Sequence, residues 1–115
     1  MISYDILIPV YNAQNTIVEL LNQIKSLDHQ PNKIIIVDDG SVDDSPNLIR
    51  DKADLIINLQ KNNGKGFALR KGFEEFLNSQ ESEYLLCMDA DLQHSVSYIP
   101  NFIYYADAEK SLFII

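Results

Sequence analysis

The sequence predicts an α/β fold with a doubly wound, mostly parallel sheet. Short apolar runs alternate along the chain with amphipathic segments of helical period. A continuous apolar run is typical of a strand covered on both faces, and regular alternation of such strands with helices predicts right-handed crossovers between parallel neighbours. Polar residues follow the runs, and open parallel sheets bind ligands beyond the carboxyl ends of their strands.

The apolar runs predict the strands in chain order. The first four strands are expected to end at one edge of the sheet, near Tyr11, Asp38, Gln60 and Asp89. A fifth strand is predicted at Leu112–Ile115. The fold class therefore follows from the order of the elements, before any motif is considered.

The first two helices have recognisable start signals. Thr16, with Glu19 three residues later, fits a capping box. Apolar residues recur after it with the spacing of one helix face. Ser45 before Pro46 predicts an N-cap followed by proline at the first helical position. Both helices are thus expected to begin in the loops that follow the first and second strands.

The last two helices are predicted from apolar stripes, which are Leu69, Phe73, Phe76 and Leu77 on the third helix and Tyr98, Phe102, Ile103 and Ala106 on the fourth. Ala68 and Gly72, four residues apart, predict a smooth strip on the third helix that another element can approach closely. Ser95 or Ser97 is expected to cap the fourth helix. Pro100 then falls in its first turn, where backbone N–H groups lack intrahelical partners in any case.

Composition limits the classes of function. The chain has 115 residues, of which 46% are hydrophobic and 23% charged, as in one ordinary globular domain. The net charge of -8 argues against nucleic acid or an anionic membrane surface as the direct partner. No apolar run approaches the roughly 20 residues of a membrane span. The single cysteine, Cys87, is expected to be a buried residue in a reducing compartment, not a nucleophile.

An acidic motif follows the fourth predicted strand. Asp89 and Asp91 are two residues apart, and alternate side chains of an extended backbone share one face. Two carboxylates on one face attract a hard divalent cation such as Mg²⁺ or Mn²⁺, and Gln93 could add a carbonyl oxygen. The alternative is an acidic surface turn without a ligand, because Asp is common in turns.

The other loops at this edge allow two interpretations each. The segment Asp38–Ser41 could be a tight turn with Asp39 or Ser41 as a helix cap. A carboxylate there could instead accept a hydrogen bond from a nucleobase or a ribose hydroxyl. Lys65, between two glycines, could be a solvated turn residue or could bind a diphosphate. Tyr11 could pack on the rim of the sheet or stack on a base.

Four segments occur in order along the chain: Ile8-Pro9-Val10-Tyr11-Asn12, Val37-Asp38-Asp39-Gly40-Ser41, Asn63-Gly64-Lys65-Gly66 and Met88-Asp89-Ala90-Asp91-Leu92-Gln93-His94. They resemble the successive motifs of glycosyltransferase family 2, the inverting, nucleotide-sugar-dependent enzymes of the GT-A fold. The last segment is most similar to the polyprenyl-phosphate branch, the dolichol-phosphate mannose synthase-like enzymes. Many relatives in that branch have two prolines after the histidine, where this chain has Ser95-Val96.

The resemblance implies a GT-A, Rossmann-like, nucleotide-binding half-domain. Residues 1–115 would be the N-terminal, nucleotide-sugar-binding part of a longer catalytic domain. The resemblance assigns the donor to Pro9, Val10, Tyr11, Asp39, Lys65 and Asp89. It assigns a divalent metal, Mn²⁺ or Mg²⁺, to Asp91, Asp89 and Gln93, with Asp89 and Asp91 as the catalytic residues.

The activity that the resemblance implies is inverting transfer of a sugar from a nucleotide-sugar donor to an acceptor such as a polyprenyl phosphate. The expected location is the cytoplasm, at the inner face of the membrane through parts that follow Ile115. The competing interpretation is a non-catalytic, receiver-like α/β module that binds a nucleotide or a metal. Receiver domains place their paired acids after the first strand, whereas the adjacent acids here follow the second. A regulatory domain that binds a nucleotide without transfer is a third interpretation.

Overall fold

The computed structural model describes residues 2–92 and 96–109. Within these residues, strands and helices alternate along the chain. The elements are β1 (Tyr4–Val10), α1 (Ile17–Lys25), β2 (Lys33–Asp39), α2 (Ser45–Ile49), β3 (Leu55–Leu59), α3 (Lys65–Ser79), β4 (Tyr84–Cys87) and α4 (Tyr98–Glu109). This alternation confirms the predicted α/β fold.

The four strands form one parallel sheet in the order β3-β2-β1-β4. Because all four run in the same direction, their carboxyl ends lie at one edge, as predicted. The last strand residues are Val10, Asp39, Leu59 and Cys87, each within two positions of the predicted end. The predicted fifth strand, Leu112–Ile115, lies outside the described residues.

The two faces of the sheet carry separate cores. Alternate residues of β1 belong to different clusters, since Ile6 and Ile8 pack in one and Leu7 in the other. The first cluster contains the apolar faces of α1 and α4 together with Ile49 of α2. The second contains the face of α3. Helices therefore cover both faces, which confirms the doubly wound arrangement.

The smooth strip predicted on α3 is where that helix contacts β1. Ala68 is fully buried, and a Cβ atom built on Gly72 would lie 2.2 Å from Cδ1 of Leu7. No side chain fits between helix and strand at this point, so glycine lets the two backbones approach. The approach brings the first turn of α3 to the carboxyl edge of the sheet.

The two predicted caps are wrong in detail. Thr16 occupies the N-cap of α1, but its side chain makes no cap hydrogen bond. Its hydroxyl donates instead to the carbonyl oxygen of Ala90 at 2.5 Å. Ser45 is the first residue of α2, and Asp44 is the N-cap. The Ser45 hydroxyl accepts the N–H of Ala13 at 2.8 Å, so neighbouring loops use both side chains.

The fourth helix begins where the second cap candidate predicts. Its first residue, Tyr98, directly follows Ser97, and Pro100 lies in its first turn. The other candidate, Ser95, lies outside the described residues. Among the residues that are described, no helix combines the length and the apolar character needed to cross a membrane.

Candidate functional site

A cavity of about 550 Å³ opens at the carboxyl edge of the sheet. Its walls come from the loop after β1, the end of β2, the loop before α3 and the loop after β4. The lining residues are Pro9, Val10, Tyr11, Asn12, Ala13, Asn15, Thr16, Asp39, Asn62, Gly64, Lys65, Ala68, Asp89, Ala90 and Asp91. The cavity lies over β1 and β4, where the strand order reverses and where open α/β sheets bind ligands.

This cavity brings together nearly all of the site residues predicted from the sequence. Pro9, Val10, Tyr11, Asp39, Lys65, Asp89 and Asp91 all line it. The remaining predicted ligand, Gln93, lies outside the described residues. Asn12, Asn15, Thr16 and Asn62 also line the cavity, although no role in the site was predicted for them from the sequence. These four residues could have been found from the sequence, because they lie in the loops directly after β1 or before α3, at the edge where a ligand was expected.

The acid pair is held by a turn and not by extended backbone. β4 ends at Cys87, and the turn that follows contains Leu92 with a φ of +64°. The prediction that Asp89 and Asp91 share a strand face is therefore wrong in its geometry, although both reach the same cavity. The Asp89 side chain is 30% exposed, and Asp91 is exposed. We call residues 89–92 the acid loop.

Lys65 and Asp89 form an ion pair across the cavity. The Nζ atom of Lys65 contacts Oδ1 of Asp89, and the lysine side chain is 59% exposed. Lys65 was predicted to bind phosphates, so the structure places its ammonium on a carboxylate that was itself predicted to bind ribose or metal. The contact thus places a cation against one of the two acids at this edge of the sheet.

Cys87, the last residue of β4, is half-buried, whereas the sequence predicted a buried residue. Burial raises the pKa of the thiol to about 11, opposed by the charge of Lys65 and reinforced by that of Asp89. The thiol is therefore protonated at neutral pH and is a poor nucleophile, as the sequence predicted.

Asp39 binds the loop that precedes α3. Its side chain is almost fully buried. Its Oδ1 atom accepts the N–H of Asn63 at 2.8 Å, and its Oδ2 atom accepts the N–H of Gly64 at 2.9 Å. The helix-cap alternative for Asp39 is therefore wrong. Each carboxylate oxygen has a second lone pair, so a ligand N–H or O–H can still bind here.

Gly40 permits a close contact between the loops after β2 and β3. Its φ is +75°, in the left-handed region that favours glycine. A Cβ atom at this position would lie 2.4 Å from the carbonyl carbon of Lys61 and 2.6 Å from the nitrogen of Asn62. The backbone of residues 61–64 thus reaches the cavity only because residue 40 has no side chain.

A hydrogen-bond network joins the loop after β1 to the loop after β2. Asn12, at a φ of +51°, donates its N–H to Oγ of Ser41 at 2.9 Å, and its own Oδ1 accepts the N–H of Val42 at 2.9 Å. Oδ2 of Asp43 accepts the N–H of Gln14 at 3.1 Å. Burial acts to raise the pKa of Asp43, but hydrogen bonds from neighbouring groups lower it overall. The wall that carries Tyr11 is therefore preformed.

The N-terminus of α3 points its first turn towards the cavity. Gly64 is the N-cap, with a φ of +96° and no side-chain cap hydrogen bond. Lys65 is the first residue of this 15-residue helix. Backbone N–H groups and the positive end of the helix dipole favour anions at such a position. Together with the lysine ammonium, they give this wall of the cavity an anion-binding character.

Comparison with known proteins identifies related sequences. The family model described as "Glycosyl transferase family 2" matches residues 5–115. Undecaprenyl-phosphate 4-deoxy-4-formamido-L-arabinose transferase from Pseudomonas fluorescens (strain Pf0-1) is 33% identical over 120 residues, covering 96% of this chain and 33% of the relative. Poly-beta-1,6-N-acetyl-D-glucosamine synthase from Staphylococcus aureus (strain MSSA476) is 35% identical over 89 residues, covering 74% of this chain and 21% of the relative. The chain thus spans about a third or less of these relatives.

Solved structures share the fold. The crystal structure of S. aureus TarS 1-349 in complex with UDP superposes with a TM-score of 0.76 at 25% identity, over 95% of this chain and 33% of that one. The complex of the same protein with UDP-GlcNAc superposes with a TM-score of 0.69 at 26% identity, over 95% of this chain and 32% of that one. Glucosyl-3-phosphoglycerate synthase from Mycobacterium tuberculosis superposes with a TM-score of 0.67 at 19% identity, over 86% of this chain and 37% of that one. This likeness supports the fold alone.

Proposed function

This chain belongs to glycosyl transferase family 2, and we propose that it is the donor-binding part of a GT-A glycosyltransferase that uses a nucleotide sugar. The observation that carries the proposal is the cavity at the carboxyl edge, whose lining includes Tyr11, Asp39, Lys65, Asp89 and Asp91. An aromatic ring, a buried carboxylate, a cation and two further acids are the groups needed for a base, a ribose, a diphosphate and a metal.

The nucleoside is proposed to bind on the preformed wall. Tyr11 is 47% exposed and lines the cavity, so its ring is available to stack on a base. Pro9 and Val10 supply the apolar floor at the end of β1. Asp39 offers its remaining lone pairs to an N–H of the base or to a ribose hydroxyl. TarS, at 25–26% identity, forms complexes with UDP and UDP-GlcNAc, which supports a uridine nucleotide as the ligand to test first.

The diphosphate is proposed to lie between the first turn of α3 and Lys65. In sugar transfer the bond between the anomeric carbon and the diphosphate oxygen breaks, and negative charge develops on the departing diphosphate. The ammonium of Lys65 and the N–H groups of the first turn of α3 lie on this wall of the cavity, where they stabilise such a charge. This interaction is stronger in the transition state than in the ground state, as catalysis requires.

The residues present fit a divalent cation. Within residues 2–92 and 96–109, no cluster of three or more His, Cys, Asp or Glu side chains could hold a metal ion. Mg²⁺ and similar ions are commonly held by one or two carboxylates together with substrate phosphates, and Asp89 and Asp91 supply two. The contact between the ammonium of Lys65 and Asp89 supports this proposal, because a cation already lies against one of the two carboxylates. When bound, the metal would act as a Lewis acid on the diphosphate.

The acceptor is proposed to be a polyprenyl phosphate. A relative that is 33% identical bears the name of an undecaprenyl-phosphate sugar transferase. A phosphate acceptor is already an anion, so its attack on the anomeric carbon from the face opposite the diphosphate inverts that centre without a general base. The proposed location is the cytoplasm, at the inner face of the membrane where such a lipid is accessible. Family membership favours this activity over the receiver-like and regulatory interpretations.

The test is calorimetric titration of UDP into the chain with Mn²⁺ and with EDTA. We expect binding that is at least tenfold tighter with Mn²⁺, because the metal neutralises the repulsion between the diphosphate and the acid loop. Uridine should bind with the same affinity under both conditions. Equal UDP affinity with Mn²⁺ and EDTA would contradict the metal role, and no UDP binding under either condition would contradict the donor site.

A further inference from the structure

We propose that Thr16 is a positioning residue of this site, because its hydroxyl holds the acid loop in the conformation that receives the metal and the diphosphate. The inference rests on the function proposed above and adds a residue to it. Thr16 lies before α1, 74 positions away in sequence from its bonding partner Ala90, so the bond is a tertiary tether between the first and last walls of the cavity.

The Thr16 hydroxyl has one proton and two acceptors within reach. The carbonyl oxygen of Ala90 lies at 2.5 Å, whereas that of Ala13 lies at 3.5 Å. A hydroxyl donates one hydrogen bond, and 3.5 Å is at the outer limit for one. The proton is therefore assigned to Ala90. The hydroxyl thus makes its close hydrogen bond to the acid loop, and it accepts no cap hydrogen bond from the first turn of α1, although Thr16 occupies the N-cap.

The tethered residue lies between the two acids. Along this segment anchored residues alternate with acids: the N–H of Met88 donates to the carbonyl of Leu7 at 2.9 Å, and Ala90 is buried. Leu92 packs against the larger core cluster. Asp89 and Asp91 occupy the positions between these anchors and reach the cavity. The Thr16 hydrogen bond thus fixes Ala90, the middle one of the three anchored residues Met88, Ala90 and Leu92.

The acid loop needs such a tether because its conformation is costly. Two carboxylates that line one cavity repel each other, and Leu92 adopts a φ of +64°, which is unfavourable for a residue with a side chain. Without the Thr16 bond, the loop can relax towards conformations that separate the acids. The metal and the diphosphate would then have to reorder the loop on binding, which lowers their affinity.

The test compares Thr16→Val with Thr16→Ser. Valine keeps the branched shape and removes the hydroxyl, whereas serine keeps the hydroxyl. Thr16→Val should weaken Mn²⁺-dependent UDP binding about five- to tenfold, as expected for one hydrogen bond, and Thr16→Ser should bind within about twofold of the wild type. Amide hydrogen exchange without nucleotide supplies a second measurement: the N–H groups of Asp91 and Leu92 should exchange faster in Thr16→Val.

Ser26→Ala is the control. It removes a hydroxyl that donates to the carbonyl of Gln23 at the other end of α1, and it should change neither measurement. The proposal is overturned if Thr16→Val matches the wild type in both measurements, if Thr16→Ser is as impaired as Thr16→Val, or if exchange rises throughout the chain. If the wild type fails to bind UDP but exchange rises only in the acid loop of Thr16→Val, the tether stands and the proposed function fails.

Discussion

The two sides of the cavity are built differently. On one side, the loops after β1, β2 and β3 hold one another through a network that includes Asn12, Ser41 and Asp39. On the other side, the acid loop is tied to the first wall by the Thr16 hydroxyl, and Asp89 is paired with the partly exposed Lys65. We call the side proposed for the nucleoside the rigid side, because several hydrogen bonds join its loops. We call the side proposed for the metal and diphosphate the adaptable side, because its partly exposed ion pair can exchange partners.

This difference has a physical logic. A nucleoside brings flat, neutral surfaces and directional hydrogen bonds, which a preformed wall binds without a cost of reordering. A metal and a diphosphate bring concentrated charge, and acids placed together for them repel each other while they are absent. The ammonium of Lys65 contacts one of these acids, and we expect a divalent cation to displace it. The predictions below test this contrast.

The largest expected effect is on the rigid side, at Gly40. In Gly40→Ala the new Cβ atom would lie 2.4 Å from backbone of Lys61, and the φ of +75° is strained for alanine. We expect a loss of about 3 kcal/mol in the free energy of unfolding, measured by urea denaturation, together with loss of UDP binding. Gly66→Ala is the control, because a Cβ atom there meets nothing within 4 Å and lies in a helix. In the urea measurement, Gly66→Ala should leave the free energy of unfolding unchanged or raise it by about 0.5–1 kcal/mol; it is a control for stability and not for binding, because residue 66 lies in the first turn of α3.

The fold was predictable from the sequence because its causes are local. Continuous apolar runs specify buried strands, and their alternation with helices makes the strands parallel, so that all carboxyl ends meet at one edge. This is why Tyr11, Asp39 and Asp91 could be assigned to one cavity from sequence alone, and the structure brings them together. The strand ends were predicted to within two residues for the same reason.

The contacts inside the cavity were not predictable from the sequence, because they join residues that are far apart along the chain and meet only after folding. Thr16 fits the sequence pattern of a capping residue, but its side chain makes no cap hydrogen bond and donates to the carbonyl of Ala90 in a distant loop. Lys65 and Asp89 are 24 residues apart, and no local pattern indicates that they pair. Likewise, the two N–H groups that bind Asp39 come from a loop that Gly40 allows to approach.

On the adaptable side, Asp91→Asn should abolish the metal dependence of UDP binding. Asparagine keeps the size and one carbonyl oxygen but removes the charge that attracts the cation. We expect affinity with Mn²⁺ to fall to the value measured with EDTA, a loss of about tenfold or more, with the midpoint of urea unfolding unchanged because the residue is exposed. Asp51→Asn removes the same charge from an exposed residue outside the cavity and should have no effect. Retained metal dependence in Asp91→Asn would transfer the metal role to other residues.

The smallest expected effect, and the one that separates the two sides most sharply, is at Lys65. Its ammonium occupies Asp89 in this structure, so it competes with a metal that arrives alone, whereas it is proposed to assist a metal that arrives with a diphosphate. Lys65→Met should therefore change two affinities in opposite directions. Mn²⁺ alone should bind about two- to fivefold more tightly, because an exposed ion pair is worth only a fraction of a kcal/mol to about 1 kcal/mol. UDP with Mn²⁺ should bind more weakly, because the diphosphate loses a cation.

Lys71→Met is the matched control, since Lys71 lies on the same helix and pairs with Glu74 at 3.8 Å. It removes the same charge from the chain but should leave both affinities within about twofold of the wild type, because solvent and salt screen exposed charges beyond a Debye length of about 8 Å. The measurements are calorimetry for UDP and electron paramagnetic resonance of free Mn²⁺ for the metal alone. If Lys65→Met weakened both, lysine would support the acid loop instead of competing for it, and the adaptable side would have to be regarded as preformed like the other.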